Sequence, residues 1–314
     1  MPFRRCAKCG KFLKGDGITF DGRYYHRECF VCGYCGSALT GKAVSYKGKP
    51  YHPECNPATG VRVCAYCRKP FTETYLILGD LFYHRDCYYN HVQKKCCVCG
   101  KPFKDVYIYD DWGNVAHPEH DGKPTPFCYT CGRIIAGRPR RLSSEAVLCG
   151  ECASTAVVTP AQVERSRTAV LSLFKSFGIT GVPEHIPIEL VKDLMDSHCE
   201  GKIRYFPDHS NCSTDFRIMI QEGLPEIHFQ GVLAHETLHS WLELYARDLT
   251  RPECEGFCNL GGAFVYQKAD TKQSNHLLKR MFKLDNEVYG DGYRMMKARY
   301  EKLGWAGLLD SLRK

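Results

Sequence analysis

The sequence has no apolar run approaching the roughly 18 residues that a membrane-spanning helix needs, so no membrane segment is expected. It also lacks an apolar h-region at its start: Met1-Pro2-Phe3-Arg4-Arg5 runs straight into Cys6. That removes a secretory signal from the expectation, and with it the oxidising compartment in which cysteines pair as disulfides. A reducing intracellular compartment is expected, cytoplasmic, with the nucleus also compatible. Nor is the composition that of a disordered chain: 44% of residues are hydrophobic and 25% charged, which fits soluble globular domains. The 314 residues leave room for two or three domains and at least one sizeable core.

What the chain has in excess is cysteine. There are 20 Cys beside 13 His, and 16 of the Cys precede residue 153. Charge divides in the same place. Residues 1–158 carry 23 Lys+Arg against 14 Asp+Glu, a balance of +9, while residues 159–314 carry 20 against 21. A basic, metal-rich front and an ordinary globular back follow from composition alone.

The front half repeats one ligand grammar five times. Cys6, Cys9, His26 and Cys29 form the first quartet, and Cys32, Cys35, His52 and Cys55 the second. Cys64, Cys67, His84 and Cys87 form the third; Cys96, Cys99, His117 and His120 the fourth; Cys128, Cys131, Cys149 and Cys152 the fifth. Within each pair two residues separate the ligands, and the pairs lie 17 or 18 positions apart. Two ligands on a tight knuckle reach one tetrahedral ion, and a hairpin returns the second pair to close it. Gly10, Gly33, Gly36, Gly100 and Gly132 lie by the knuckles, where turns are expected. Ile18–Phe20 and Arg23–Tyr25 read as short strands about Asp21-Gly22. One module buries little apolar surface, so zinc supplies much of its folding energy. Cys97, Cys199, Cys212, Cys254 and Cys258 stay outside the quartets.

Cys6 through Cys55, with only Phe30-Val31 between the quartets, resembles the LIM double zinc finger. The next two quartets resemble a second LIM pulled apart, because Tyr88 to Lys95 replace the two-residue linker. The fifth resembles a lone zinc ribbon. The LIM resemblance implies closed zinc sites and a surface for protein partners.

In the back half, Thr159 with Pro160 predicts a helix start, Val163, Val170, Leu171, Phe174 and Phe177 its apolar face, and Gly178 its end. Ile186–Val191 reads as a strand that Pro187 confines to an edge or a strand start. Ile203–Phe206 and Phe216–Ile220 read as two more. Ala234, Leu238, Trp241, Leu242 and Tyr245 then form a helical stripe. This helix carries His235-Glu236-Thr237-Leu238-His239. Histidines four apart project from one face and reach one ion, and Glu236 lies beside it to take a proton from bound water.

A catalytic zinc has three protein ligands and one open position. A second helix is expected from Pro252, and Glu255 on it is the preferred third ligand, with Gly256 allowing close approach to the first helix. Glu253 and Cys254 compete; Glu253 also fits as an acidic residue in a first helical turn, and His276 is an outside candidate. Val288–Arg294 reads as a glycine-flanked turn between helices. Tyr289 on it is a candidate oxyanion donor, and Asp291 a candidate to orient a ligand histidine.

Four passages together resemble the LIM-domain peptidases of the plant organ-size, or DA-one, family and their microbial relatives. They are the LIM followed by a degenerate LIM; His117-Pro118-Glu119-His120-Asp121 with Cys128, Cys131 and Leu148–Cys152; Gly223-Leu224-Pro225 with Leu233–Trp241; and Glu255–Cys258 with Tyr289–Arg294. The resemblance implies a gluzincin-type zinc endopeptidase with His235, His239 and Glu255 as ligands and Glu236 as base. A ubiquitin link comes with the plant members by resemblance only, because no acidic helix precedes Cys6 here. Cys254 stands where the plant motif has a first Glu before Glu-Gly.

The expected architecture is α+β and multidomain, with tandem zinc-ribbon and LIM modules followed by a gluzincin-like peptidase domain of a small sheet, the His-Glu-x-x-His helix and a helical C-terminal part. Its divisions are 1–58 for the LIM, 59–122 for the split pair, 123–156 for the ribbon and 157–314 for the peptidase. One catalytic and about five structural Zn2+ ions are expected. The leading expectation is hydrolysis of protein substrates, with the LIM modules as interaction or regulatory platform. A catalytically silent scaffold is the alternative. Nucleic-acid binding through Lys94-Lys95, Arg138, Arg140 and Arg141 ranks third, since no base-reading finger helix is present.

Overall fold

A computed structural model describes residues 4–13, 15–56, 58, 62–71, 74–103, 106–195, 199–208, 213–246 and 248–313. Cys212 lies outside the described residues. The fold is mixed α/β with tandem Cys/His modules. It divides into two compact units, Met1–Lys95 with Lys101–Lys104, and Cys96–Gly100 with Asp105–Lys314. The break falls inside the expected 59–122 pair. The fourth and fifth quartets therefore share a unit with the back half.

In the first unit each quartet carries one antiparallel hairpin. Ile18–Phe20 pairs with Arg23–Tyr25, Val44–Tyr46 with Lys49–Tyr51, and Tyr75–Leu78 with Leu81–His84. Asp21 and Gly22 both take positive φ, 51° and 72°, as a two-residue hairpin turn demands. The first two quartets share a small core of Tyr25, Phe30, Leu39 and Tyr51 packed among the cysteines. Phe30 of the two-residue linker lies 5.4 Å from both Phe20 and Tyr25, ring centre to ring centre. The Leu39 N–H of the second finger donates to the Phe30 carbonyl at 3.1 Å, so this linker residue touches both fingers. Tyr88–Val92, in the longer connection, forms a π-helical turn instead. Gly33 differs from the other knuckle glycines. Its φ is not positive, and the Tyr51 ring packs onto it.

In the second unit, helix α1 (Pro160–Ser176) opens with a capping box between Thr159 and Gln162, and Gly178 (φ 73°) follows its end. Strands β1 (Ile188–Val191), β2 (Gly201–Asp208) and β3 (Ser213–Gln221) form a sheet in the order β1-β3-β2. β1 runs parallel to β3 and β2 antiparallel, with Ile188 and Ile203 both opposite Ile218. Pro187 thus sits just ahead of an edge strand, as its missing N–H requires.

Helices α2 (Glu226–Tyr245), α3 (Arg251–Ala269), α4 (Lys272–Lys283) and α5 (Gly292–Leu312) complete the unit. α2 is buried on most of its surface, with Ala234, Leu238, Trp241 and Leu242 in the core. Tyr245, expected in that stripe, lies instead at the rim, where its hydroxyl donates to the Gly181 carbonyl at 3.3 Å. Residues 288–294 are not a turn. Glu287–Asp291 make a π-helical turn that runs directly into α5. Inside α5, Gly304 (φ 66°) breaks the helix.

Two glycine contacts set the helix spacing. A Cβ on Gly261 of α3 would meet Leu238 Cδ1 at 2.8 Å and the Ala234 carbonyl oxygen at 3.1 Å, so this glycine lets α3 lie against α2. Gly256, expected to serve that contact, faces elsewhere: its Cβ would fall on the Gly292 carbonyl at the start of α5. The error arose because residues 256 and 261 lie on different faces of one helix, five positions apart.

The core of this unit includes Cys128, Cys131, Cys149 and Cys152 alongside Leu148, Leu224, Phe229 and Leu233. The four-Cys module is therefore built into the back-half core. Since a Gly256 side chain would press on backbone rather than a movable side chain, Gly256→Ala is expected to destabilise by about 1–3 kcal/mol. Gly137→Ala, which meets nothing within 4 Å, is expected to stay within about 0.5 kcal/mol. Urea unfolding of both variants measures the difference.

Candidate functional site

Each of the five quartets gathers its ligand atoms within 4.8 Å of one another. Their spacings can be tested against zinc. Bond lengths of about 2.3 Å to sulfur and 2.0–2.1 Å to nitrogen give a tetrahedron with S···N edges of about 3.6 Å and S···S edges of about 3.8 Å. Cys9 Sγ lies 3.4 Å from His26 Nδ1, Cys35 3.4 Å from His52, Cys67 3.3 Å from His84 and Cys99 3.5 Å from His117. Cys131 Sγ and Cys149 Sγ are 3.8 Å apart. These residues fit zinc, and several Cys/His zinc-binding sites are present.

The histidines are also oriented. With Nδ1 turned to the thiolates, Nε2–H of His26, His52 and His84 donates to the carbonyls of Phe12, Ala38 and Pro70 at 3.2, 3.3 and 3.2 Å. The repeated partner fixes one tautomer in all three modules. His120 is reversed. Its Nε2 faces Cys96, and its Nδ1–H donates to Thr125 Oγ1 at 2.8 Å, while the Thr125 hydroxyl donates to the His117 carbonyl. Backbone N–H groups of Tyr34 and Val98 point at Cys32 and Cys96, both 3.4 Å away. Burial pushes the Cys6 thiol up, but backbone N–H groups more than offset this and bring it down to about 6.

A sixth cluster lies between α2 and α3. His235 and His239 bring their Nε2 atoms 3.2 Å apart. Glu255 Oε2 is 3.2 Å from the first and 3.6 Å from the second. Edges of about 3.3–3.5 Å are what two imidazoles and a carboxylate give around one tetrahedral zinc. The electrostatics agree with a site made for a cation. Burial would raise the Glu255 carboxyl, yet the two imidazoles hold it well below the usual carboxylate range.

Glu236 is almost wholly buried, and burial pushes its carboxyl up against the opposing pull of His235 and His239. The Ile203 backbone N–H of β2 also acts to lower it. Gly201 at the start of that strand is close, since a Cβ there would meet Glu236 Oε1 at 2.9 Å.

The structure separates the competing residues. Glu253 closes a capping box with Thr250 and pairs with Arg299 at 3.1 Å. Cys254 Sγ lies 4.0 Å from the Leu249 carbonyl, and Cys258 is core. His276, the outside candidate, packs over Gly132 in the fifth knuckle. Asp291 pairs with Arg294. The residue that orients His235 is Asn259: its Oδ1 accepts from His235 Nδ1 at 2.9 Å, and its Nδ2 donates to the Tyr289 carbonyl at 3.2 Å. Sequence reading passed over it, although its place four residues after Glu255, one helical turn on, was a usable signal.

Tyr289 is about one-third exposed. Its phenol is raised by burial and by the charge of Glu255, with Arg251 acting in the opposite direction. Tyr205 of β2 was also passed over. Burial raises its phenol, and the charges of Glu236 and Glu255 act on it as well.

Residues 6–56 match the LIM domain family. The chain is also similar to Protein DA1 of Arabidopsis thaliana, 22% identical over 271 residues, covering 64% of this chain and 51% of that protein. The chain thus spans about half the length of the curated relative it matches.

Asn259→Ala removes the partner of His235 without touching a cluster atom. It is expected to weaken zinc at the sixth cluster by about 10–100-fold, while Asn259→Asp retains it. Chelator competition measures the affinity.

Proposed function

We propose that the chain is a zinc-dependent endopeptidase whose centre is His235, His239 and Glu255, with Glu236 as general base. The observation that carries this reading is the triangle of His235 Nε2, His239 Nε2 and Glu255 Oε2, with sides of 3.2 to 3.6 Å. Three protein ligands leave a fourth position open, unlike the five four-ligand clusters. When bound there, zinc supplies Lewis acidity toward a scissile carbonyl and lowers the pKa of water.

The protein's own residues do the rest. Asn259 holds His235 in the tautomer that offers Nε2. Glu236, largely withdrawn from solvent and steadied by Ile203 N–H, accepts a proton and returns it to the leaving amine. Tyr289 is our candidate donor to the oxyanion, with Tyr205 a second phenol at the same centre. β2 is an edge strand, so an extended peptide has backbone groups to pair with. Protein substrates are the class this arrangement suits. The LIM match supports the front modules as a surface for protein partners, and the likeness to Protein DA1 is consistent with a regulatory role. A link to ubiquitin stays with the family resemblance.

No helix among the described residues is long and apolar enough to cross a membrane. An intracellular, reducing location is proposed from the cysteine usage.

The test is proteome-wide cleavage profiling of the wild type against Glu236→Gln. The variant is expected to keep about six zinc ions per chain and lose at least about 100-fold in cleavage rate. Cleavage by Glu236→Gln at the wild-type rate would remove the assignment. Five ions in the wild type, with no cleavage, would favour the silent scaffold.

A further inference from the structure

Three remote parts of the chain converge on the carboxylate of Glu200, the residue before β2. Its Oε2 accepts from His228 Nε2 on α2 at 3.1 Å. Its Oε1 accepts from the Tyr129 hydroxyl and from Arg280 Nη2 of α4, the latter at 3.3 Å. Tyr129 and Thr130 are the two residues between Cys128 and Cys131. His228 Nδ1 meets the fully buried Thr130 Oγ1 at 3.1 Å, and the Tyr129 and His228 rings stack 5.8 Å apart. Arg280 Nη1 donates to the Tyr129 carbonyl at 2.7 Å, with its guanidinium over the Tyr129 ring. A carboxylate only accepts, so His228 must carry its proton on Nε2.

The fifth knuckle is held from a second side. α4 lays Gln273, His276 and Arg280 along it. Gln273 Nε2 donates to Cys152 Sγ at 3.2 Å and His276 covers Gly132, while Lys279 of the same helix pairs with Asp111 of the fourth module at 3.1 Å. The chain leaving the module is tied to α2 as well: Glu226 N–H donates to the Thr155 carbonyl, and Val157 N–H to the Leu224 carbonyl, both at 2.9 Å.

We propose that the four-Cys module is a working part of the hydrolytic centre, and that Glu200 is the positioning residue joining them. Zinc at Cys128, Cys131, Cys149 and Cys152 fixes Tyr129 and Thr130. Through Glu200 these fix the His228 end of α2, two turns before His235, and the Gly201 end of β2, which lies against Glu236. Both walls around Glu236 are therefore referenced to the ribbon. This rests on the proposed function above but reaches beyond it, because it gives the fifth zinc a role in the site's geometry.

Amide hydrogen exchange of the zinc-loaded full chain tests it and needs no turnover. The variants are Glu200→Gln, Tyr129→Phe, which deletes only the hydroxyl should the first fail to fold, and Val170→Ala as a core control of matched melting temperature. Zinc content is expected to stay at the wild-type value. Residues 199–206 and 226–236 are expected to exchange about tenfold faster in the first two variants but not in the control. Faster exchange confined to 126–152 and 272–283, or no greater than in Val170→Ala, would overturn the proposal. A Glu236→Gln protein that still cleaves would sink the hydrolytic reading while leaving this exchange result intact.

Discussion

Glu255 reaches His235 and His239 only because α3 can lie almost backbone to backbone on α2. Gly261 sits against Leu238 and the Ala234 carbonyl, with no room for a side chain. That spacing brings His235 Nε2, His239 Nε2 and a Glu255 carboxylate oxygen, on two helices, to within 3.6 Å of each other. The same α3 is pinned on its other face by Gly256 against Gly292. Asn259, one turn beyond Glu255, then touches His235 and the Tyr289 carbonyl together. Helix packing, histidine orientation and the place of Tyr289 are thus one arrangement seen from three sides. Each depends on short helix-to-helix distances that only small residues permit.

The chain holds two kinds of metal-binding geometry that differ in what surrounds them. The four-ligand clusters are closed by their own modules, with carbonyls fixing the imidazoles and N–H groups facing sulfur. They need little else, which is why they serve as building blocks in modules too small to bury a core. The cluster of His235, His239 and Glu255 sits between two helices of a large core, with Asn259 of the second helix and Gly201 of a distant strand beside it. The four-Cys module lies between these cases. Its ligands are local, but its cysteines belong to the core of the second unit.

Much of the ligand inventory was legible because it is a matter of local spacing. Two residues between ligands set a knuckle, and histidines four positions apart share a helical face, whatever the rest of the chain does. The helix start at Thr159 with Pro160 was equally local, while the helix expected from Pro252 begins at Arg251, capped by Thr250. Gly33 and residues 288–294 misled because a glycine signals a turn in isolation. In the fold Gly33 makes room for the Tyr51 ring, and Gly290 and Gly292 sit inside continuing helix.

By itself the sequence determined which side chains could share an ion and the order of the elements that carry them. The tertiary structure decided which of Glu253, Cys254 and Glu255 faces the imidazoles, that Asn259 rather than Asp291 orients His235, and that Glu200 ties the fifth knuckle to α2. The reason is physical. A residue's partner within one turn follows from the helical period, whereas a partner across 30 or 100 residues follows from where two surfaces come to rest. That is set by packing volume and by the need to satisfy buried charge, and no spacing rule contains either.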